Sequence, residues 1–157
     1  MIRTMTSAFV LAGAAAVSAF AQDAQSAIDG AMEADREFAA HAREHGLAAA
    51  FSRYAAEDGR VLRPGSDDIV GPDAIFGANP DGGDMVLHWW PRGGYGSEDG
   101  TFAVTYGSWE FYPDGNMDAA PAGTGDYVSA WRLTDEGWRF VLDTGNSDPA
   151  PQPPETE

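Results

Sequence analysis

Asp35, His88 and Asp143 are the side chains of this 157-residue chain whose type and setting suit proton transfer. Asp35 falls between Met32 and Phe38 on the apolar stripe of a helical pattern, so helical geometry turns its carboxylate inward. A carboxylate taken out of water must be paired, hydrogen-bonded or neutralised. Either it ties the structure together, through a helix-to-sheet hydrogen bond or an ion pair with Arg63, or it is a cavity acid or base with a raised pKa. Asp143 closes the apolar run Trp138-Arg139-Phe140-Val141-Leu142 and either points into a cavity mouth or caps a turn with Thr144 and Gly145. Were Asp35 and Asp143 to converge, they could share a proton or divide acid and base roles. His88 shares one strand face with Val86 and Trp90, where it serves as a proton carrier near neutral pH or as a hydrogen-bonded wall residue.

Tyr54, Trp90, Tyr106 and Trp131 offer apolar walls with polar tips for a flat or greasy ligand, and Arg63 offers a charged contact. Core packing is the competing use of the same rings. His41-Ala42-Arg43-Glu44-His45 fits the H-x-x-E-H zinc pattern, but it lies in a last helical turn before Gly46, where the helix dipole already accounts for histidines. It is not read as a metal site. The loops Asp81-Gly82-Gly83-Asp84 and Gly93-Gly94-Tyr95-Gly96 lack the strand-to-helix context of a phosphate cradle. With no cysteine and no Gly-x-Ser-x-Gly elbow, covalent catalysis is not expected, and no cofactor is called for.

Nine basic residues, all arginine, face 25 acidic ones, for a net charge of −16. Such a surface repels phosphate backbones and anionic headgroups, which argues against nucleic-acid or membrane-surface partners. The start reads as a secretory leader over residues 1–21: Arg3, an apolar core from Ala8 to Val17, and the small-x-small site Ala19-Phe20-Ala21. Cleavage before Gln22 would release a periplasmic or secreted protein, free of the membrane. One domain over residues 22–146 follows, and an acidic, Pro-rich tail over 147–157 is expected to be disordered.

Apolar spacing predicts a helix from Ala24 to about His45, stopped by Gly46, and a second from Leu47 to Ala56. Short strands follow at Arg60–Arg63 and Ile69–Val70, and a short helix runs from Gly71-Pro72 through Phe76. Longer strands are expected over Met85–Trp90, Thr101–Tyr112, Tyr127–Leu133 and Trp138–Asp143, with turns at Pro113-Asp114-Gly115 and Thr134-Asp135-Glu136-Gly137. The class is α+β, with helices backing an antiparallel sheet.

Several segments in this order carry a resemblance. They are Asp35-Arg36-Glu37-Phe38, His45-Gly46-Leu47 with Ala50-Phe51 and Tyr54, and Val61-Leu62-Arg63-Pro64-Gly65. Further on come Leu87-His88-Trp89-Trp90-Pro91, Tyr106-Gly107, Gly125-Asp126-Tyr127 leading to Trp131, and Gly137-Trp138 leading to Val141-Leu142-Asp143-Thr144-Gly145. Together the chain resembles the NTF2-like superfamily, and within it the SnoaL-like and DUF4440 branch. The resemblance implies a cone of N-terminal helices on a curved antiparallel sheet, a conical cavity, and a homodimer. Activities on this fold range from isomerases and dehydratases to non-catalytic binding domains, so fold alone does not choose among them. Related ketosteroid isomerases place a base aspartate before a proline in the first strand and a tyrosine on the first helix. Here Arg63 and Phe38 hold those places, and that mechanism is not carried over. The expectation is an exported domain that binds a small, partly apolar molecule. The alternative is a cofactor-independent lyase or isomerase that works through Asp35, His88 and Asp143.

Overall fold

The structure, a computed structural model, describes residues 9–80 and 82–149, with side-chain environments from Asp23 onward. Arg3 and the first part of the leader, Asp81, and the tail from residue 150 lie outside the described residues.

Helix α1 spans Phe9–His45 and α2 spans Leu47–Tyr54. The sequence predicts a start near Ala24, yet the helical backbone continues back to Phe9, as the alanine-rich stretch favours. Gly46 separates the two helices at φ 89°, a left-handed conformation that a side chain would strain. On α1 the buried positions include Ala27, Ala31, Ala34, Asp35, Phe38 and Ala42. Small alanines on this stripe let the helix lie close to the sheet beneath it.

Strand β1 spans Ala55–Leu62, β2 Ile69–Val70, and α3 Pro72–Ala78. Strands β3 (Val86–Gly96), β4 (Phe102–Tyr112), β5 (Gly123–Thr134) and β6 (Gly137–Ser147) complete one sheet in the order β2-β1-β6-β5-β4-β3. The sheet is mixed rather than wholly antiparallel, because β1 runs parallel to β6. Four intervening strands separate β1 from β6 along the chain, so no tight turn dictates their relative direction. Register shifts at Pro91/Gly93 and Ala130/Trp131 bend the long strands. The sheet therefore curves around α1.

The strands outrun their sequence patterns. Strand β1 begins at Ala55, where a helix end is expected, and β6 runs on to Ser147. Asp148, placed in the tail by the sequence, is tied to Thr124 through its backbone N–H and its carboxylate. Inside the curve, Phe38 forms the hub of the core. Its ring centroid lies 4.7 Å from Trp89, 4.8 Å from Phe51 and 5.1 Å from Tyr54.

Candidate functional site

Between α1 and the curved sheet a hollow of about 530 Å³ remains unfilled. It is large enough for a small organic molecule. Its walls are mainly aromatic and aliphatic: Phe38 and Phe51 from the helices, Leu87 and Trp89 from β3, Trp109 and Phe111 from β4. Strand alternation places these residues. Leu87, Trp89, Trp109 and Phe111 occupy cross-strand partner positions on the inward face, whereas their neighbours His88 and Trp90 point the other way. Glycines make room for the rings. A Cβ at Gly107 would sit 2.6 Å from the Tyr127 ring, and one at Gly125 would sit 2.7 Å from that of Trp109.

Asp35 is fully buried and bonds only to neutral donors. Trp89 Nε1 donates to Oδ1 at 3.0 Å, and Thr105 Oγ1 and Tyr127 Oη donate to Oδ2 at 2.7 and 2.9 Å. Thr105 Oγ1 in turn accepts from Trp131 Nε1 at 2.9 Å. The carboxyl of α1 is thus latched to β3, β4 and β5 at once. Burial raises its pKa, and the three hydrogen bonds oppose that rise without cancelling it. The ion pair with Arg63, one of the two structural ties expected from sequence, is not formed. The helix-to-sheet hydrogen bond is. Arg63 instead donates to the Ala78 carbonyl and to Asn79 Oδ1, each at 2.8 Å.

Asp143 lies on β6 opposite Ser129, and its carboxyl reaches the wall of the hollow. Ser129 Oγ donates to its Oδ2 at 2.6 Å. Burial raises this carboxyl to about 6, with the Asp35 charge adding to the rise and Ser129 and Arg63 opposing it. Tyr127 stands between latch and hollow: its ring lines the hollow while its hydroxyl donates to Asp35. Burial and the nearby Asp35 push its phenol far above the ordinary tyrosine range, so it stays protonated.

No family model matches the chain, and no curated protein matches it in sequence. Solved structures do match. An NTF2-like protein with a cystatin-like fold from Novosphingobium aromaticivorans superposes with TM-score 0.62 over 90% of each chain at 15% identity. A protein of unknown function with a cystatin-like fold from Nostoc punctiforme gives 0.59 at 13% identity, over 77% of this chain and 90% of that one. The chain has the NTF2-like fold. A candidate scytalone dehydratase from Novosphingobium aromaticivorans is also similar, with TM-score 0.54 and 16% identity over 76% of this chain and 83% of that one. At such identities the likeness speaks for the fold alone.

Within this NTF2-like frame the residues singled out from sequence separate into groups. Asp143 and Arg63 reach the hollow, and Asp35 sits behind its wall, screened by Trp89 and Tyr127. His88 does not join them: it faces outward, its Nδ1 lies 3.1 Å from Arg43 Nη1, and its ring packs 5.2 Å from Trp90. Burial and the Arg43 charge lower its pKa. Trp90 and Tyr106, expected as cavity walls, lie on the outer face of the sheet, each 37% exposed. Trp131 is completely buried in the core behind Thr105, and Tyr54 stacks on Phe38 without lining the hollow. Parity explains the error: along β3 the inward positions are Leu87 and Trp89, one residue out of step with His88 and Trp90. The wall residues Trp89, Trp109, Phe111 and Tyr127 were overlooked. Strict alternation through the Leu87-His88-Trp89-Trp90 run, anchored on Leu87 as an inward residue, would have found Trp89.

Proposed function

We propose that this chain is an exported NTF2-like domain of the SnoaL-like and DUF4440 kind that holds a small, partly apolar molecule in the hollow between α1 and the sheet. One observation carries the reading: about 530 Å³ of unfilled space with aromatic walls and a carboxyl, Asp143, on its surface. Packing normally closes such space, so a hollow of this size flanked by well-fitted rings favours an occupant. Export is supported by the leader pattern Arg3, Ala8–Val17 and Ala19-Phe20-Ala21. No helix among the described residues is long and apolar enough to cross a membrane. The arrangement supports binding over the lyase or isomerase alternative. Proton transfer between two side chains needs both at one point, whereas here Asp35 is walled off and His88 faces away.

Gly123 gives the test. It lines the hollow at an ordinary φ, and a Cβ there would meet Trp109 at 3.7 Å, a normal contact. Gly123→Phe should therefore fold and fill the space. A neutral naphthalene dye whose emission rises in apolar surroundings should bind the wild-type protein saturably, at one site. The variant should bind it at least about tenfold more weakly. Equal binding by both proteins would refute the hollow as the ligand site.

A further inference from the structure

The Asp143 carboxylate has acceptor capacity that the protein leaves unused. Ser129 takes up Oδ2, while among the described residues no donor reaches Oδ1. Among the described residues no buried side-chain oxygen or nitrogen lacks a partner, so Oδ1 is not sealed from solvent, and Asp143 lines the hollow. A carboxylate has about four acceptor sites, and a ligand placed over Oδ1 without a donor would strip away its water with no replacement. The nearest cation does not neutralise it, because the Arg63 guanidinium is held by Ala78 and Asn79 and makes no ion pair with Asp143. Behind the wall lies a second acid, Asp35, and the whole chain carries −16. Sharing the hollow with Asp143 are the rings of Phe38, Phe51, Trp89, Trp109 and Phe111.

We propose that the hollow takes an organic cation: a protonated amine or quaternary ammonium on an apolar, ring-sized body, with its charge beside Asp143 and its body among the aromatic walls. This rests on the binding reading above and names the class of ligand. An ammonium donates to the open Oδ1, and its charge is attracted to tryptophan and phenylalanine faces, most strongly where water is excluded. A neutral ligand gains the apolar contact alone, and an anion meets a negative field.

Asp143 is faced by Asp35 from α1, Tyr127 from β5 and Arg63 just past β1, and burial with the Asp35 charge pushes its carboxyl up to about 6. It is therefore ionised at neutral pH and protonated in mild acid. An alkylammonium, like a lysine side chain, keeps its proton up to about pH 10, so only the protein's charge changes over this range. Affinity for the cation should be level above about pH 7 and fall roughly tenfold per unit below about pH 6, until Asp143 in the complex is itself protonated.

Calorimetric titration of the full chain with phenylpropylammonium, phenylpropanol and phenylpropanoate tests this. At about pH 8 the amine should bind at least tenfold more tightly than the alcohol, and the preference should vanish toward about pH 5. Asp143→Asn should reduce the amine to the level of the alcohol, and the pH series on the wild-type chain answers the same question without a substitution. If alcohol and amine bind alike at about pH 8, the cation assignment falls while the binding reading stands. Strongest binding by the carboxylate would assign the charge preference to Arg63 and overturn the proposal. If none of the three binds, both readings fail.

Discussion

Asp143 sits where the folded chain disfavours its charge, and its effect on stability has a definite sign. Below its ordinary value of 3.8 it is protonated in both folded and unfolded chains and contributes nothing. As pH rises from 3.8 toward about 6 the unfolded chain ionises first and is stabilised relative to the folded one. Above that range the loss is complete, roughly 1–3 kcal/mol once partial access to the hollow is allowed for. Asp143→Asn cannot ionise, and its amide oxygen can still accept from Ser129. Urea denaturation should therefore find the variant more stable than wild type by about 1–3 kcal/mol near pH 7.5, with the gap closing below about pH 4. A variant no more stable than wild type at neutral pH would mean that the carboxyl is fully solvated. Stability surrendered at one side chain in a ligand site is the usual sign that the group serves something other than folding.

At the scale of elements, Asp35 is the point where α1 is fastened to three strands. Trp89, Thr105 and Tyr127 come from β3, β4 and β5, and each donates to the one carboxyl. The rest of the α1 stripe is mostly alanine, which packs closely but buries little area per residue. Removing the acceptor strands three donors in a dry interior. Asp35→Ala should cost about 3 kcal/mol or more in denaturant melts, a large share of a typical domain's stability. A loss below about 1 kcal/mol would show that water enters and replaces the carboxyl. Because Tyr127 belongs both to this latch and to the wall of the hollow, loosening α1 should also weaken ligand binding.

Over the whole molecule, one face of the sheet carries α1 and the other is bare among the described residues. The bare face presents Trp90, Tyr106 and Val128, with Tyr106 and Val128 paired across β4 and β5. Several of its charges are paired, Arg92 with Asp126 at 2.9 Å, Arg60 with Asp68 at 3.0 Å and Arg132 with Asp58 at 2.5 Å, while Glu110, opposite His88, accepts from the Tyr112 hydroxyl. In a chain of net charge −16, a partly apolar face whose charges are mostly paired is where two copies meet with least repulsion. The homodimer implied by the family resemblance is accordingly proposed to form here. Native mass spectrometry at micromolar concentration should give twice the chain mass, and Val128→Glu should return the monomer with its fold intact. A wild-type monomer under those conditions would remove the proposal.

Sequence alone determined a great deal of this protein, because its signals are local. Apolar residues at helical spacing put Asp35 on the inner side of α1, Gly46 ended that helix, and β-rich runs bounded by Pro113-Asp114-Gly115 and Thr134-Asp135-Glu136-Gly137 marked the hairpins. That was enough to reach the α+β class, while the NTF2-like fold was implied by the resemblance that the ordered segments from Asp35-Arg36-Glu37-Phe38 to Asp143-Thr144-Gly145 carry. Tertiary structure decided what touches what. Whether Asp35 met Arg63 or a ring of neutral donors depended on strands up to 92 residues away, and no local pattern encodes that choice. The direction of β1 beside β6 was equally open until the sheet closed. Parity along β3 turned on a single residue: it sent Trp89 inward and carried His88 and Trp90 to the outer face. Space left between packed rings is a property of the assembled interior. A conical cavity was implied by the resemblance, but only folding could reveal which rings line the hollow and that Asp143 reaches it.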